Sequence, residues 1–419
     1  MLTGYQPTVA TLRHPSRKAR FLAAAAAAVL AMSVVMTASA ASATLKAPAS
    51  ANLGSSITVT GSGFAAGQKG NLTFNGGLVT TFTASSAGAM SVPMAIPSWA
   101  VIGTGRISAK TTGGTVLATT TLTICAAGST GTPKPPATRT GAKATPTPKP
   151  TSPPATNVPN FSHVYVIIFE NKEYSSIVGS KSAPYINSLI SKYGISTSFY
   201  AERHPSEPNY IALTSGGTQG VTDDGTYNLG VNNLFDQVQA SGRTWKAVMQ
   251  GKPAGCFTGS SSSAVVDGVG KSGAYVRKHD PAISYKSISG SAAKCANITN
   301  LASFNPASAN FQFITPNMIN DMHDGTIADG DNFLKAFLPK ITTSSSFANS
   351  VVFITFDEGT TNVDGGGHIA TIAVTPKMTA GYKATATYTH YSMLRTIEQA
   401  WGLPFLGCAS SATAMAFPY

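Results

Sequence analysis

Two apolar runs decide the fold: "HVYVIIFE" at residues 163–170 and "SVVFITFDE" at 350–358. Each is a near-continuous stretch of β-branched, aliphatic and aromatic residues with no polar alternation. A run of this length and composition predicts a strand buried on both faces, the pattern of a parallel sheet covered by helices. Each strand ends in a pair of oxygen-bearing side chains, Glu170-Asn171 in the first and Asp357-Glu358 in the second.

The flanking segments fit the same architecture. Helical patterns occur at 183–194 ("APYINSLISKYG"), 208–216 ("PNYIALTSG"), 233–242 ("NLFDQVQASG"), 331–341 ("DNFLKAFLPKI") and 390–402 ("HYSMLRTIEQAWG"). Strand patterns at 196–202, 244–250, 310–316 and 368–376 alternate with them. Residues 158–419 therefore read as one α/β domain with a mainly parallel sheet. In such sheets ligands bind beyond the carboxyl ends of the strands. Two acid-bearing strand ends at one edge would repel each other and desolvate badly without a cation.

Three further clusters reach that edge. "TPNMINDMHDG" (315–325) follows a strand and offers Asn317, Asp321, His323 and Asp324. "DGGGHIA" (364–370) places His368 at a strand start, and Thr389-His390 opens the last helix. His163 and His279 read as less telling, the first at a strand start and the second in a loop. Ser206 lies in "HPSEPNY" (204–210), just after the strand at 196–202. It begins a helix, where the dipole favours negative charge. That position suits a nucleophile as well as an ordinary cap.

The rest of the chain is organised around this domain. "RHPSRKAR" (13–20), "FLAAAAAAVLAMSVVM" (21–36) and "TASAASA" (37–43) read as a cleavable export leader over 1–43, so a secreted or surface location is expected. Residues 44–125 hold short β-branched runs between Gly/Ser turns, an all-β module without an acid or a histidine. Residues 126–157 are rich in Pro, Thr and Lys and read as an extended linker, which predicts free motion of a dispensable module. The formal charge is +12, yet all 17 acids lie at or after Glu170, and 17 of the 29 Lys and Arg follow Val158. The C-terminal domain is thus formally neutral, which argues against nucleic acid as a partner. Cys256 and Cys295 flank a Ser/Gly/Lys-rich loop and are expected to form a disulfide; Cys125 and Cys408 either pair or stay free.

"ENKEY" (170–174), "HPSEPNY", "TPNMINDMHD" (315–324), "FDEG" (356–359), "GGHI" (366–369) and "THYS" (389–392) together resemble the phosphoesterase family of bacterial phospholipases C and secreted acid phosphatases, in the alkaline phosphatase-like superfamily. The "GSGFAAGQ" turn (61–68) resembles small immunoglobulin-like modules of bacterial surface proteins. The "S-x-P-N" around Ser206 is also similar to the "T-x-P-N" nucleophile turn of nucleotide pyrophosphatases. The first resemblance implies an alkaline phosphatase-like domain and hydrolysis of a phosphate ester, with Ser206 becoming phosphorylated. It implies Glu170, Asn171, Asp357 and Glu358 as metal ligands together with Ser206. His204, Asn209, His323, His368 and His390 stand as catalytic residues, and Asn171, Asp321, Asp324 and Asn317 as substrate contacts.

Where two-zinc members place an Asp-His pair, this chain has Asp357-Glu358, and Asn317 stands where they have an Asp. That departure and the oxygen-rich set favour one hard divalent cation, calcium, magnesium or manganese, over zinc. A monomer is expected, with membrane-surface or cell-wall association open. A phospholipase C-type phosphodiesterase and a non-catalytic adhesin are the competing functions. No G-x-S-x-G occurs, and "GKS" at 270–272 lacks the first glycine of a P-loop, where Val265 stands.

Overall fold

The computed structural model describes residues 42–125, apart from 49, 98, 99, 101 and 102, and residues 158–419. The expected leader (except 42–43) and the whole expected linker lie outside the described residues. Among the described residues no helix is long and apolar enough to cross a membrane.

Eight strands form the N-terminal module: β1 (Thr44–Lys46), β2 (Ser50–Asn52), β3 (Ser56–Ser62), β4 (Lys69–Phe74), β5 (Gly77–Thr83), β6 (Met90–Ala95), β7 (Gly103–Thr111) and β8 (Val116–Cys125). They make two sheets, ordered β1-β3-β6 and β2-β8-β7-β4-β5. Alternating inward residues, among them Val59, Leu72, Phe74, Met94, Ile107 and Leu122, form one core. The all-β reading of this segment holds.

The second part is α/β. Its strands are β9 (His163–Phe169), β10 (Gly194–Tyr200), β11 (Trp245–Met249), β12 (Ile298–Asn300), β13 (Phe311–Thr315), β14 (Ser350–Phe356), β15 (His368–Val374), β16 (Tyr382–Ala384) and β17 (Tyr388–Thr389). The helices are α1 (Tyr174–Ile177), α2 (Pro184–Lys192), α3 (Ser206–Ser215), α4 (Leu234–Ala240), α5 (Lys286–Ser289), α6 (Ala292–Cys295), α7 (Ile327–Phe337), α8 (Pro339–Thr342) and α9 (His390–Trp401). The sheet order is β12-β11-β13-β9-β14-β15-β10-β16, with β17 on β10. β14 is buried at every position, and β9 at every position after His163, as the uninterrupted apolar runs predict. Only β15 runs antiparallel to its neighbours. A reversed strand begins where the parallel strands end, so His368 still starts at the carboxyl edge.

β9 and β14 pair in parallel, with Phe169 opposite Phe356. The residues that follow, Glu170 and Asp357, are therefore held side by side. The ladder continues past the strands: Asp357 N–H donates to Phe169 O at 2.9 Å, and Glu170 N–H donates to Asp321 O at 2.8 Å. The second bond draws the loop after β13 over the end of β9.

Both cysteine pairs are disulfides, Cys256–Cys295 and Cys125–Cys408. The first is the expected bridge. The second overturns the expectation of a freely moving module, because it ties the last residue of β8 to the turn after α9. Pro/Thr/Lys composition speaks for the linker alone and carries no information about a bond formed 283 residues away in sequence.

Candidate active site

Ser206 is the first residue of α3; the cap position before it is Pro205, which makes no side-chain capping bond. Its hydroxyl donates to Glu170 Oε2 at 3.0 Å and lies 3.4 Å from Glu358 Oε1. The helix is buried along its whole length, so Ser206 sits on a fixed support. Asn209 secures the turn before it: its Oδ1 accepts from Glu202 N–H and Arg203 N–H, and its Nδ2 donates to Arg203 O and Pro205 O. With both its polar atoms committed to backbone, Asn209 positions the turn and does not face the carboxylates.

Four carboxylates gather at the strand ends. Glu170, Asp321 and Asp357 are fully buried, and Glu358 nearly so. Burial pushes the Glu170 carboxyl up to about 7, with Asp357 and Tyr210 acting in the opposite sense. Burial also raises Asp321 to about 7. Asp357 is raised well above the usual range by burial and by the Glu170 charge beside it. Glu358 is raised by burial and then by Asp357. Desolvation disfavours every ionised carboxylate here, and like charges compound it.

Basic groups partly offset this concentration. His279 places Nε2 3.3 Å from Glu170 Oε2 and Nδ1 3.2 Å from Asp321 Oδ2, close enough for charge interaction though without hydrogen-bond geometry. His204 Nδ1 lies 2.6 Å from Glu358 Oε2, and its Nε2 lies 2.8 Å from Thr361 O. Lys278 pairs with Asp224 at 2.9 Å and approaches His323 Nε2 at 3.2 Å. Burial lowers the Lys278 pKa, but the bond to Asp224 together with the charges of Asp224, Glu170 and Asp357 outweighs it and the net shift is upward. Lys172 donates to Met322 O at 2.8 Å, and burial lowers its pKa. Tyr210 donates its hydroxyl to Glu170 Oε1.

The predicted residues thus divide into two groups. Ser206, Glu170, Asp357, Glu358, His204 and Asp321 converge. Asn171 adopts a left-handed conformation (φ 50) and gives its N–H to Asp357 Oδ1 at 3.0 Å. His323 stands at the rim with Nδ1 2.7 Å from Asp324 Oδ1, and its N–H donates to Asp321 Oδ1.

His368 is engaged elsewhere. Its Nε2 lies 3.0 Å from Thr197 O, and its ring stacks between Tyr174 and Tyr200. His390 is fully buried behind β14, with Nε2 3.0 Å from Phe356 O, and burial lowers its pKa to about 4. Asn317 closes a turn through Ile319 N–H and Asn320 N–H and donates to Lys271 O.

His279, Lys278 and Tyr210 are the residues that sequence reasoning missed. Tyr210 carried a signal: it lies four residues after Ser206, on the same helix face. His279 carried none, since a short 3₁₀ turn in an irregular loop delivers it.

The donor set fits a hard cation. It is rich in carboxylate oxygen, and the buried Asp357 Oδ2, Asp321 Oδ2 and both His279 nitrogens have no hydrogen-bond partner. Among the described residues, however, no three His, Cys, Asp or Glu side chains already stand around one point as a closed metal site requires.

A sequence profile of the Phosphoesterase family matches residues 180–404. A phosphatidylinositol-3-phosphatase from Mycobacterium tuberculosis is 33% identical over 262 residues, covering 62% of this chain and 83% of the relative. An acid phosphatase from Aspergillus fumigatus is 30% identical over 266 residues, covering 61% of this chain and 58% of the relative. A solved protein of the alkaline phosphatase superfamily from Vibrio parahaemolyticus aligns at 13% identity with a TM-score of 0.43, covering 59% of this chain and 68% of that one. The profile spans more than half of the 419 residues, so this chain belongs to the Phosphoesterase family and is a phosphoric ester hydrolase.

Proposed function

We propose that the chain is a secreted, metal-dependent phosphomonoesterase that works through a phosphoserine at Ser206. The observation that carries this reading is the Ser206 hydroxyl, presented on the first turn of a buried helix and directed at Glu170. Ser206 Oγ attacks phosphorus in line, and its proton passes to Glu170 Oε2. The bond from phosphorus to the leaving oxygen breaks, and His323 at the rim supplies the proton that oxygen needs. Water then attacks the phosphoserine and gives a proton back to His323; the phosphorus–Oγ bond breaks, inorganic phosphate leaves, and Glu170 returns its proton to Oγ.

The positive end of the α3 dipole and the Lys278 charge favour the equatorial oxygens. Glu170, Asp357 and Glu358, with Ser206 and Asn171, would hold one divalent cation. When bound, the cation neutralises the crowded carboxylates, lowers the Ser206 pKa and polarises the phosphoryl group. His204 keeps Glu358 aligned, and His279 holds Glu170 against Asp321. His368 and His390 act from behind, one fastening the start of β15 and the other the end of β14.

The two named relatives support monoester chemistry over the phospholipase C alternative. A phosphoinositide headgroup presents the same monoester and belongs to the same substrate class. Oxidised cysteines and the leader pattern support secretion. The N-terminal segment, immunoglobulin-like by sequence resemblance, and a monomeric state complete the reading.

Acid quenching during turnover of p-nitrophenyl phosphate should trap phosphate on Ser206, detected by peptide mass spectrometry. Ser206→Ala should lose at least a thousandfold in kcat, about 4 kcal/mol of transition-state stabilisation. A variant retaining a tenth of parental turnover would remove Ser206 as the nucleophile. Faster hydrolysis of the bis-ester than of the monoester would return the diesterase reading.

A further inference from the structure

The far end of α3 is bound as closely as its catalytic end. The helix stops at Gly216, whose left-handed conformation (φ 72) forms the C-terminal cap. Gly216 O accepts from Cys408 N–H at 2.7 Å. A methyl group on Gly216 would lie 2.1 Å from Leu406 O, and one on Gly407 would lie 2.2 Å from Gly216 O. The two backbones touch, and only glycine permits it.

The N-terminal module grips the same turn. Cys408 is bonded to Cys125 at the end of β8. Ser50 of β2, the strand paired to that end of β8, donates to Gly407 O at 2.9 Å and lies 3.1 Å from Ser410 Oγ. Thr123 reaches Gly217, its methyl 3.1 Å from where a side chain there would begin. The disulfide packs against Ala212 of α3 and Tyr391 of α9 in a small buried cluster. Ala212 lies six residues from Ser206, about 9 Å along the helix axis. Tyr391 follows His390, which holds the carbonyl just before Asp357. The elements that meet at this seam are therefore the ones that carry Ser206 and back Asp357.

We propose that the N-terminal module is a covalently fastened positioning element of the active site. Cys125–Cys408 and Ser50 hold the 406–410 turn against the Gly216 end of α3 and so set where Ser206 stands relative to Glu170 and Glu358. This rests on Ser206 as nucleophile. A buried ten-residue helix moves as a rod, so a tilt released at one end displaces the other. Displacements on the order of 1 Å at a reacting atom cost about a hundredfold in rate. A passive stalk would have no need of a bond to this turn.

The test uses the full chain with Cys125→Ser and Cys408→Ser together. The proposal expects kcat on p-nitrophenyl phosphate to fall five- to twentyfold, KM to stay within twofold, and amide exchange across 211–216 to accelerate. An unchanged kcat overturns it, whatever the exchange shows.

Should the double variant not fold, Ser50→Trp wedges the same seam with both disulfides intact and is read by the same kcat-against-KM split. In parallel, a protease site placed within 126–157 should give a nicked protein that keeps its kcat and separates into two pieces only under reduction. Release of the module without reductant overturns the proposal. Failure of the Ser206 reading shows separately, as absence of trapped phosphoserine in the parent chain.

Discussion

The two ends of helix α3 are built from opposite materials. At the Ser206 end, four carboxylates, two histidines and a lysine crowd into one edge, joined by hydrogen bonds and close polar approaches. At the Gly216 end, backbone contact, the Ser50 hydroxyl and a disulfide in an apolar cluster dominate, with Arg395 and Glu398 bonding the backbone of the 406–410 turn. Charges in a low-dielectric site are strong and sensitive to pH and ions. Backbone contact and a covalent bond are indifferent to both. The helix therefore joins an end crowded with carboxylates to an end held mainly by backbone contact and a covalent bond.

Removing the ion proposed for the charged end should have the largest effect. Protein purified without chelator should carry about one divalent ion per chain. Chelation should remove more than about 99% of the activity, and calcium, magnesium or manganese should restore it. The Gly216 end should not respond: exchange at 211–216 should be the same with and without chelator. Full activity in chelator would remove the cation from the site, and two ions per chain would refute the single-metal assignment.

A smaller effect is expected at His279, which balances Glu170 and Asp321 without touching Ser206 by hydrogen bond. His279→Ala should lower kcat/KM by roughly ten- to a hundredfold, 1.4–2.7 kcal/mol, because two buried carboxylates lose their shared counter-group. His368→Ala should cost less than about fivefold, since its ring is committed to Thr197 and two tyrosines. Kinetics of the two variants side by side check this, and a larger loss at His368 would reverse the assignment.

These residues also show how far the sequence could be read. β9 and β14 were legible because strands buried on both faces leave no choice of residue type, and their last residues name the edge at which chemistry occurs. The parallel register then follows from the sheet, so Glu170 and Asp357 meet without any further signal. His279 was illegible because an irregular loop has no period, and nothing in "RKHDP" says which way the ring points. His368, a histidine after glycines at a strand start, looks available in the sequence; the stacking that occupies its ring comes from Tyr174 and Tyr200, which adjoin it only in three dimensions. The Cys125–Cys408 bond is not legible in the sequence for the same reason, since residues 283 apart in the chain meet only in three dimensions.

The smallest expected effect concerns an acid near the Gly216 end. Glu398, on α9, is fully buried; its Oε1 accepts from Leu406 N–H at 2.9 Å, and its Oε2 has no hydrogen-bond partner. Burial raises its pKa from 4.5 to about 8, against the smaller opposing pull of that N–H and of Arg395. The folded protein therefore keeps this proton up to about pH 8, while the unfolded chain releases it near 4.5. Between those values the folded state binds more protons, so stability falls as pH rises through this window. Its contribution is fully present below pH 4.5 and is lost as pH passes 8.

Glu398→Gln keeps the acceptor for Leu406 and removes the titration. Urea unfolding should find the variant equal to the parent at pH 4 and more stable by up to about 4 kcal/mol at pH 8.5. An offset that stays constant between those pH values would mean that Glu398 is already ionised in the folded protein, and that the Gly216 end of α3 is less dry than its contacts imply.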